Sequence, residues 1–259
     1  SRIEILNSGG YRSDGRRQYE LRNIAIDLSA RGTADGAAEV SQGLTTVVVE
    51  VHGPREPRMR AMALHDRANV NVEVGIAMVS ASERRRRGRG DKRILELAST
   101  IRSTFEPVIQ TSLYPRTQID IFVQILAQDG SVLSACINAT TLALVTAGIP
   151  LLDFVCAVSG GVHTTSPLLD LTLLEENDVP HVTVGIMPRT GRVTLATMET
   201  RLHAERFEEI FRLACDAGKV LHEEMKTAVK NKTEGLLNAF EAGSKNQPQH
   251  VNEDDIMVI

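Results

Sequence analysis

The chain has 259 residues, of which 42% are hydrophobic and 24% charged, and its net charge is −4. This composition is typical of a folded globular protein, long enough for one large domain or two ordinary ones. The negative net charge excludes a surface that is basic throughout, so any contact with nucleic acid requires local basic patches. Aromatic residues make up only 3%, which argues against base stacking as the main mode of binding.

Several features predict an intracellular protein without a membrane anchor. No uncharged apolar run is long enough to cross a bilayer, and residues 1–4 open into mixed polar sequence rather than a leader pattern. The three cysteines lie in apolar surroundings with no CxxC spacing, which favours free thiols in a reducing compartment. They are Cys136, Cys156 and Cys215.

The first third of the chain predicts mainly strands. Asp14 precedes two arginines in an Asp-Gly turn, which predicts a local ion pair. Runs of β-branched and alternating residues predict strands over 21–28, 45–51 and 70–78, with a Gly- and Ala-rich loop over 30–38. The second of these strands is expected to end at Gly53-Pro54.

Two basic stretches follow. Residues 55–60 form a loop that contains Arg58 and Arg60, and residues 83–93 read ERRRRGRGDKR. Asp91 is expected to cap a helix whose apolar residues recur every three or four positions. Lys92 and Arg93 then lie in the first turn, where cations oppose the helix dipole. This cost favours a functional role such as phosphate contact over a merely solvated helix start.

Residues 114–150 organise the middle of the chain. Alternation from Ile119 to Ile125 predicts a strand, Asp129-Gly130 a turn, and residues 131–147 a helix that is apolar on all sides and therefore buried. A strand that turns directly into a helix directs backbone N–H groups to one point, which suits an anion. The turn sequence GSVLS, residues 130–134, nevertheless contains no basic residue.

The last part of the chain predicts strands over 151–160, 181–186 and 192–197, the last two forming a hairpin. A long amphipathic helix begins near Phe207. Beyond residue 242 the sequence is polar and acidic, and a mobile tail over 243–259 is expected. Together the elements indicate an α+β or mixed α/β layered architecture.

The residue pattern alone does not identify a reaction. Glu175 and Glu176 are adjacent carboxylates that can bind Mg²⁺ or transfer protons, although such pairs more often lie in a solvated loop or helix start. His163 and His181 are candidate bases without a neighbouring nucleophile motif. The histidines have no metal-ligand spacing, and the sequence contains no GxGxxG, GxxxxGK(S/T) or HExxH motif, so neither a metal nor a cofactor is expected.

Five segments stand out when the chain is taken in order: RSDGRRQYELR (12–22), GPREPR (53–58), YPRTQIDIFVQILAQDG (114–130), INATTLALVTAGI (137–149) and PLLDLTLLEEN (167–177). Together they resemble the RNase PH family, most closely the eukaryotic exosome core ring subunits of its archaeal-catalytic, phosphorolytic-type branch. The resemblance implies an RNase PH-like fold over residues 1–242, a duplicated βαβ-rich unit of the ribosomal protein S5 domain 2-like type. It also implies a six-subunit ring with RNA in its pore; active members cleave RNA from the 3′ end with phosphate.

The chain departs from the active members of this family at two places. Where they carry Gly-Thr-Arg to hold phosphate, the matching residues are Ser131, Val132 and Leu133, and loss of the arginine removes a bidentate clamp. The active members also carry two aspartates in and after the acidic segment, and the matching residues here are Glu176 and Val182. Valine neither binds metal nor donates a proton. The resemblance therefore implies that ordinary phosphorolysis is lost.

The same resemblance implies RNA contacts at Lys92 and Arg93, at Arg116 beside the former active site, and at Arg58 and Arg60 near the pore constriction. The cluster at residues 84–89 is either a further RNA contact or a solvated loop. Implied partners are RNA, other RNase PH-like ring subunits, RNA-binding caps and an associated hydrolytic exoribonuclease, in nucleus, nucleolus and cytoplasm.

Three functions remain open at this point. The first is a non-catalytic subunit that guides RNA to the associated nuclease. The second is a phosphate-dependent exoribonuclease with a site rebuilt around Glu176 and Arg116. The third is a scaffold that never touches RNA.

Overall fold

The computed structural model describes residues 5–7, 9–29, 32–57, 63–80, 91–164, 166–198 and 200–245. Within these ranges the chain forms two sheets and four α-helices. None of the helices described there is long and apolar enough to cross a membrane.

The first sheet has five strands. Four of them pair antiparallel in the order β1-β2-β3-β5, and β4 is added at the edge, parallel to β5. Valine and isoleucine on one face of β3 and β5 are fully buried, as the period of two predicted. The strands are β1 (Ile24–Asp27), β2 (Gly36–Gln42), β3 (Thr45–Arg55), β4 (Asn69–Ile76) and β5 (Gln118–Ala127).

Two helices pack against this sheet. The first, α1 (Lys92–Phe105), begins at Asp91, whose carboxylate accepts the N–H of Arg93, so the predicted N-cap is confirmed. The second, α2 (Val132–Thr146), is buried from Ser134 to Leu144 on every side, as its apolar sequence predicted. It lies so close to β2 that a Cβ on Gly36 would come within 2.4 Å of the carbonyl oxygen of Ala143.

The second sheet is antiparallel throughout, in the order β7-β6-β8-β9. The short α3 (Leu173–Asp178) leads into β8, and the long α4 (Ala204–Lys245) covers one face of the sheet with Ile210, Leu221 and Met225. The strands are β6 (Cys156–His163), β7 (Ser166–Leu169), β8 (His181–Met187) and β9 (Arg192–Met198). One continuous apolar core joins both sheets through α2 and α4.

Several predicted boundaries were wrong. The predicted loop over 30–38 contains the start of β2, whose small residues fit beneath α2. Strand β3 continues past Gly53-Pro54, because an irregularity in its pairing with β5 brings Arg55 opposite Gln118. Strand β6 begins at Cys156 rather than Leu151, and β7 and α3 were not predicted.

The predicted domain boundary after residue 242 falls in the last turn of α4, which continues to Lys245. The remainder of the predicted acidic tail, residues 246–259, lies outside the described residues.

Strands β4 and β5 run parallel, so both finish at the same end of the first sheet. We call this the turn end, because the turn from β5 into α2 lies there, and the opposite end the far end. At the turn end, Gln128 donates its N–H to the carbonyl of Ser80, so the segments that follow both strands lie together. At the far end, Arg102 in the last turn of α1 reaches the side chain of Asn69, at 3.4 Å. Helix α1 therefore runs back along β4 and has its first residues at the turn end.

Candidate functional site

The turn between β5 and α2 has an unusual backbone. Gly130 and Ser131 both adopt positive φ, 77° and 51°. A Cβ at Gly130 would lie 2.4 Å from the carbonyl oxygen of Leu171, so only glycine fits there. For Ser131 the left-handed conformation is unfavourable by about 1–2 kcal/mol, which its surroundings must offset.

Contacts on every polar group of Ser131 provide that compensation. Its Oγ contacts Oγ of Ser159 and donates to the carbonyl of Leu171 at 2.9 Å. Its carbonyl accepts from Oγ of Ser134 at 2.7 Å. Its backbone N–H donates to Oε1 of Glu176 at 2.6 Å. The turn is therefore held in one geometry by β6, by α2 itself, and by α3 and the segment before it.

Glu176 places a carboxylate at the N-terminus of α2. Burial raises the pKa of this carboxyl group, and the hydrogen bond from Ser131 and the nearby charges of His181 and Arg22 only partly oppose the shift. The carboxylate occupies a position where the helix dipole favours a negative charge. An external anion at this helix end would have to compete with the chain's own carboxylate.

Arg22 closes the turn from the other side. Its guanidinium donates to Oδ1 of Asp170 at 2.7 and 3.0 Å and to the carbonyl of Asp129 at 2.6 Å, and its backbone N–H donates to Oδ2 of Asp170 at 2.8 Å. Burial alone would raise the pKa of Asp170, but the hydrogen bonds and charge of Arg22 outweigh it and lower that pKa. The guanidinium is thus fully used within the protein.

Two other arginines of the N-terminal segment, Arg12 and Arg16, are similarly engaged. Arg12 is buried, donates to the carbonyls of Leu169 and Asp170, and lies 3.7 Å from the carboxylate of Glu175. Arg16 pairs with Asp14 at 2.6 Å, which confirms the predicted local ion pair. Glu175 also accepts the N–H of Thr172 at the start of α3, so it is a structural residue and not a solvated one.

The register of the second sheet corrects one sequence prediction. Ser159, which contacts Ser131, lies opposite Thr183 on β8. Gly161 and His181 form the pair two positions further along, so their side chains lie on the same face of the sheet as Ser159 and Thr183. Val182 therefore points to the opposite face, where it is fully buried in the core. The choice of Val182 as the site position was wrong, because the side chain on the turn-facing side of β8 is His181.

The turn carries no free cation of its own within the described part of the chain. Leu133 is half-buried and packs on the core, where the resemblance implied an arginine in active relatives. Nor do three or more His, Cys, Asp and Glu side chains of the described residues group as metal ligands.

Lys92 and Arg93 are exposed at the turn end, as the first residues of α1. Neither has an ion-pair partner among the residues that the structure describes. Helix α1 therefore brings two exposed cations to the end of the sheet where the turn lies.

Arg116 does not lie beside the turn, and its predicted position was wrong. It immediately precedes β5, whereas the turn follows that strand, so the two are separated by roughly 30 Å of extended chain. Its side chain is exposed, and its backbone N–H donates to the carbonyl of Leu64. Arg58, Arg60 and the cluster at residues 84–89 lie outside the described residues.

Sequence reasoning missed Arg22, Asp170 and the orientation of His181. The first two lie within segments that resemble the family, but nothing in their spacing indicates that they pair. The orientation of His181 could have been predicted from the sequence. Val182, Val184 and Ile186 alternate as one apolar face of the strand, which places residue 181 on the other face.

Comparison with known families matches both halves of this architecture. The model described as 3′ exoribonuclease family, domain 1, matches residues 20–150, and domain 2 of the same family matches residues 153–217. The chain belongs to the 3′ exoribonuclease, or RNase PH, family. The RNase PH-like α+β fold that the resemblance implied is confirmed.

Similar proteins in this family include exosome components. The chain is 42% identical over 230 residues to exosome complex component RRP41 of Bos taurus, covering 88% of this chain and 94% of the relative. It is 38% identical to exosome complex component ski6 of Schizosaccharomyces pombe, with 92% and 98% coverage. It is 36% identical to exosome complex component Rrp41 of the archaeon Pyrobaculum calidifontis, with 88% and 93% coverage.

Solved structures agree on the fold. Rrp46 of rice (Oryza sativa) matches with a TM-score of 0.76 at 24% identity, over 85% of this chain and 100% of that chain. The Archaeoglobus fulgidus exosome, solved with RNA bound to the active site, matches with a TM-score of 0.73 at 21% identity, over 83% and 93%.

Proposed function

We propose that the chain is a non-catalytic subunit of an exosome core ring, which guides RNA towards an associated 3′-to-5′ hydrolytic exoribonuclease. The observation that carries this proposal is the turn between β5 and α2. There Leu133 offers no positive charge, the guanidinium of Arg22 is consumed by Asp170 and backbone carbonyls, and Glu176 occupies the helix N-terminus.

These features disfavour an attacking phosphate. A phosphate dianion placed at the start of α2 meets the carboxylate of Glu176 and lacks the bidentate guanidinium that holds such an anion. Loss of one preorganised electrostatic group of this kind typically lowers kcat by a factor of about 10²–10³. His181 stands where a second carboxylate would be needed on the face towards the turn.

The proposed partners follow from the relatives and from the charges that remain. The relatives are named as exosome components, so other RNase PH-like ring subunits, RNA-binding caps and a hydrolytic nuclease are proposed partners. Lys92, Arg93 and Arg116 are exposed cations at the two ends of β5, which suits contact with an RNA strand that runs along it. The proposed locations are nucleus, nucleolus and cytoplasm.

A second function is a phosphate-dependent 3′-to-5′ exoribonuclease with a rebuilt site. It is favoured by membership of an exoribonuclease family and by two free cations at the turn end, Lys92 and Arg93. Arg116 cannot be part of such a site together with Glu176, because β5 separates them.

Phosphate dependence separates the two functions. The ring is assembled without associated nucleases and incubated with 3′-labelled and internally labelled RNA, with and without inorganic phosphate. We expect no release of nucleoside diphosphates, and addition of the hydrolytic nuclease is expected to restore decay with monophosphate products. Phosphate-dependent release of nucleoside diphosphates that disappears with Glu176→Ala would establish the second function instead.

A further inference from the structure

A groove far from the turn lies between the C-terminal end of α2, the segment that follows it, and α4. Its volume is about 560 Å³. The floor is apolar and includes Val145, Ile149, Leu152 and Phe154. Leu152 is 52% exposed, so this floor is not covered by the described part of the chain.

Basic groups form the rim of the groove. Arg189 and Lys226 are exposed there, and the ring of His222 packs edge-on against Phe154 with 5.2 Å between centroids. The acidic residue in the lining, Asp153, accepts three backbone N–H groups, from Phe154, Arg189 and residue 190, at 2.8–3.2 Å. Its oxygens are therefore engaged, whereas the guanidinium of Arg189 has no ion partner among the described residues. Lys226 lies 3.5 Å from the carboxylate of Glu223, and such an exposed pair is weak enough to exchange partners.

An exposed apolar stripe on α4 leads into this groove. His222 and Phe240 are 18 positions apart, which is five helical turns, so they lie on one face together with Val229. Leu237 and Phe240 on that face are 57% and 75% exposed. Apolar side chains therefore recur along this face, half-buried at Val229 and exposed at Leu237 and Phe240, with the polar Thr233 between them.

The sequence after α4 complements this surface. Residues 253–259 read EDDIMVI, three carboxylates followed by four apolar residues. Carboxylates suit the basic rim, and the apolar residues suit the floor, since burial of each such side chain is favourable.

The connecting chain is long enough. Lys245 lies 19 positions beyond Lys226, a distance of roughly 28 Å along a helix. Residues 246–253, if extended, span up to roughly 28 Å, so a chain that folds back along α4 brings the three carboxylates to the rim. Residues 256–259 then reach the cavity beyond it.

We propose that residues 253–259 of the chain bind in this groove, with their carboxylates at Arg189 and Lys226 and their apolar side chains on the floor formed by Leu152 and Phe154. The returning chain would cover the exposed stripe on α4. This contact is independent of the proposed role in RNA decay, and it leaves the turn between β5 and α2 untouched.

The test uses the full chain with a benzophenone amino acid in place of Met257. After irradiation, mass spectrometry locates the crosslinks, and a mixture of isotopically heavy and light chains separates contacts within one chain from contacts between chains. We expect crosslinks within the same chain to residues 148–154. The double variant Arg189→Glu/Lys226→Glu is expected to lower their yield about tenfold, since two exposed pairs become repulsive.

A charge swap and a distant control complete the test. Adding Glu253→Lys/Asp254→Lys/Asp255→Lys to the double variant is expected to restore the yield, which a misfolded groove would not allow. Lys92→Glu/Arg93→Glu, at the opposite end of the molecule, is expected to leave the yield unchanged. Crosslinks only between heavy and light chains would assign the groove to a second copy. That result, or yields insensitive to the charge reversal, overturns the proposal.

Discussion

The backbone N–H of Ser131 donates a 2.6 Å hydrogen bond to the carboxylate of Glu176, so an acidic group of the protein itself sits at the start of α2. The two residues come from different halves of the chain, 45 positions apart. Their contact fixes the turn that active members of the family are expected to use for phosphate. It also predicts how the stability of the fold depends on pH.

Glu176→Gln is expected to stabilise the protein at neutral pH. Burial raises the pKa of Glu176, so the folded state holds the proton more tightly than the unfolded state. The stability that this proton contributes is fully present below the ordinary value of 4.5 and is lost as pH rises through the raised pKa. Glutamine keeps the acceptor for Ser131 without the charge.

Urea unfolding of both proteins across a pH series measures this effect. The advantage of the variant should be absent below about pH 4.5, grow as the pH rises above it, and become constant above the raised pKa of Glu176. An advantage of the same size at every pH would mean that the substitution acts through packing rather than through the charge.

Gly130→Ala is expected to destabilise the protein far more than Gly148→Ala. Both glycines have positive φ, 77° and 72°, so both variants incur the cost of a left-handed alanine, about 1–2 kcal/mol. Only at Gly130 does the new Cβ meet backbone, the carbonyl of Leu171 at 2.4 Å. Overpacking of this kind adds about 1–3 kcal/mol.

The free energy of unfolding in urea for the two variants gives the comparison directly. Equal losses would show that the contact with Leu171 relaxes without cost and that φ alone makes glycine necessary at position 130.

The local sequence pattern predicted the parts of the fold that depend on neighbouring residues. The alternation in β5 and the uniform apolarity of α2 follow from which faces are buried, and both predictions are confirmed. The cap at Asp91 is a contact over two residues and was predictable for the same reason. Strand β2 was missed because Gly36 and the alanines after it favour a loop until β3 and α2 pack on them.

The site itself depends on contacts between residues that are distant in sequence. Arg22 and Asp170 are 148 positions apart, and no local pattern indicates their pairing. The position of Arg116 was misjudged for a related reason: it is near the turn in sequence, but a fully extended strand separates them. Val182 was chosen by counting residues, whereas the register with β6 decides which side chain faces the turn.

Asp170→Asn is expected to cost about 3–5 kcal/mol at neutral pH, because it removes the buried counter-charge of Arg22 and leaves only the more exposed Asp129, at 3.9 Å. The lowered pKa of Asp170 adds a pH signature. Its stabilising effect is present above the ordinary value of 3.8 and is lost as pH falls through the lowered pKa, so the variant should lack that acid-sensitive part of the unfolding curve.

Asp14→Asn provides the matched control, since its pairing with Arg16 is more exposed and should contribute less than about 1 kcal/mol. Similar losses in the two variants, measured by urea unfolding, would contradict a special role for the pair of Arg22 and Asp170.

Val182→Asp and His181→Asp test the register of β8. Val182 is fully buried in the core, so an aspartate there is unpaired and should prevent folding or cost at least about 3 kcal/mol. His181 is half-buried on the other face, and aspartate there should cost about 1 kcal/mol or less. Thermal unfolding of both variants distinguishes them, and a well-folded Val182→Asp would mean that this position does face the turn.

Lys92→Glu/Arg93→Glu is expected to weaken RNA binding by the assembled ring and to slow decay by the associated nuclease. Each lysine or arginine that contacts a phosphate contributes about 0.7 to the slope of log K against log salt for a single strand. Loss of both contacts should therefore reduce that slope by about 1.4. Arg116→Glu, at the far end of β5, should reduce it by a further, additive amount of about 0.7.

Arg192→Glu/Lys230→Glu reverses two exposed charges elsewhere on the surface and should leave slope and decay unchanged. If the first variant assembles normally and matches this control in both measurements, the chain is a scaffold that does not contact RNA at these residues.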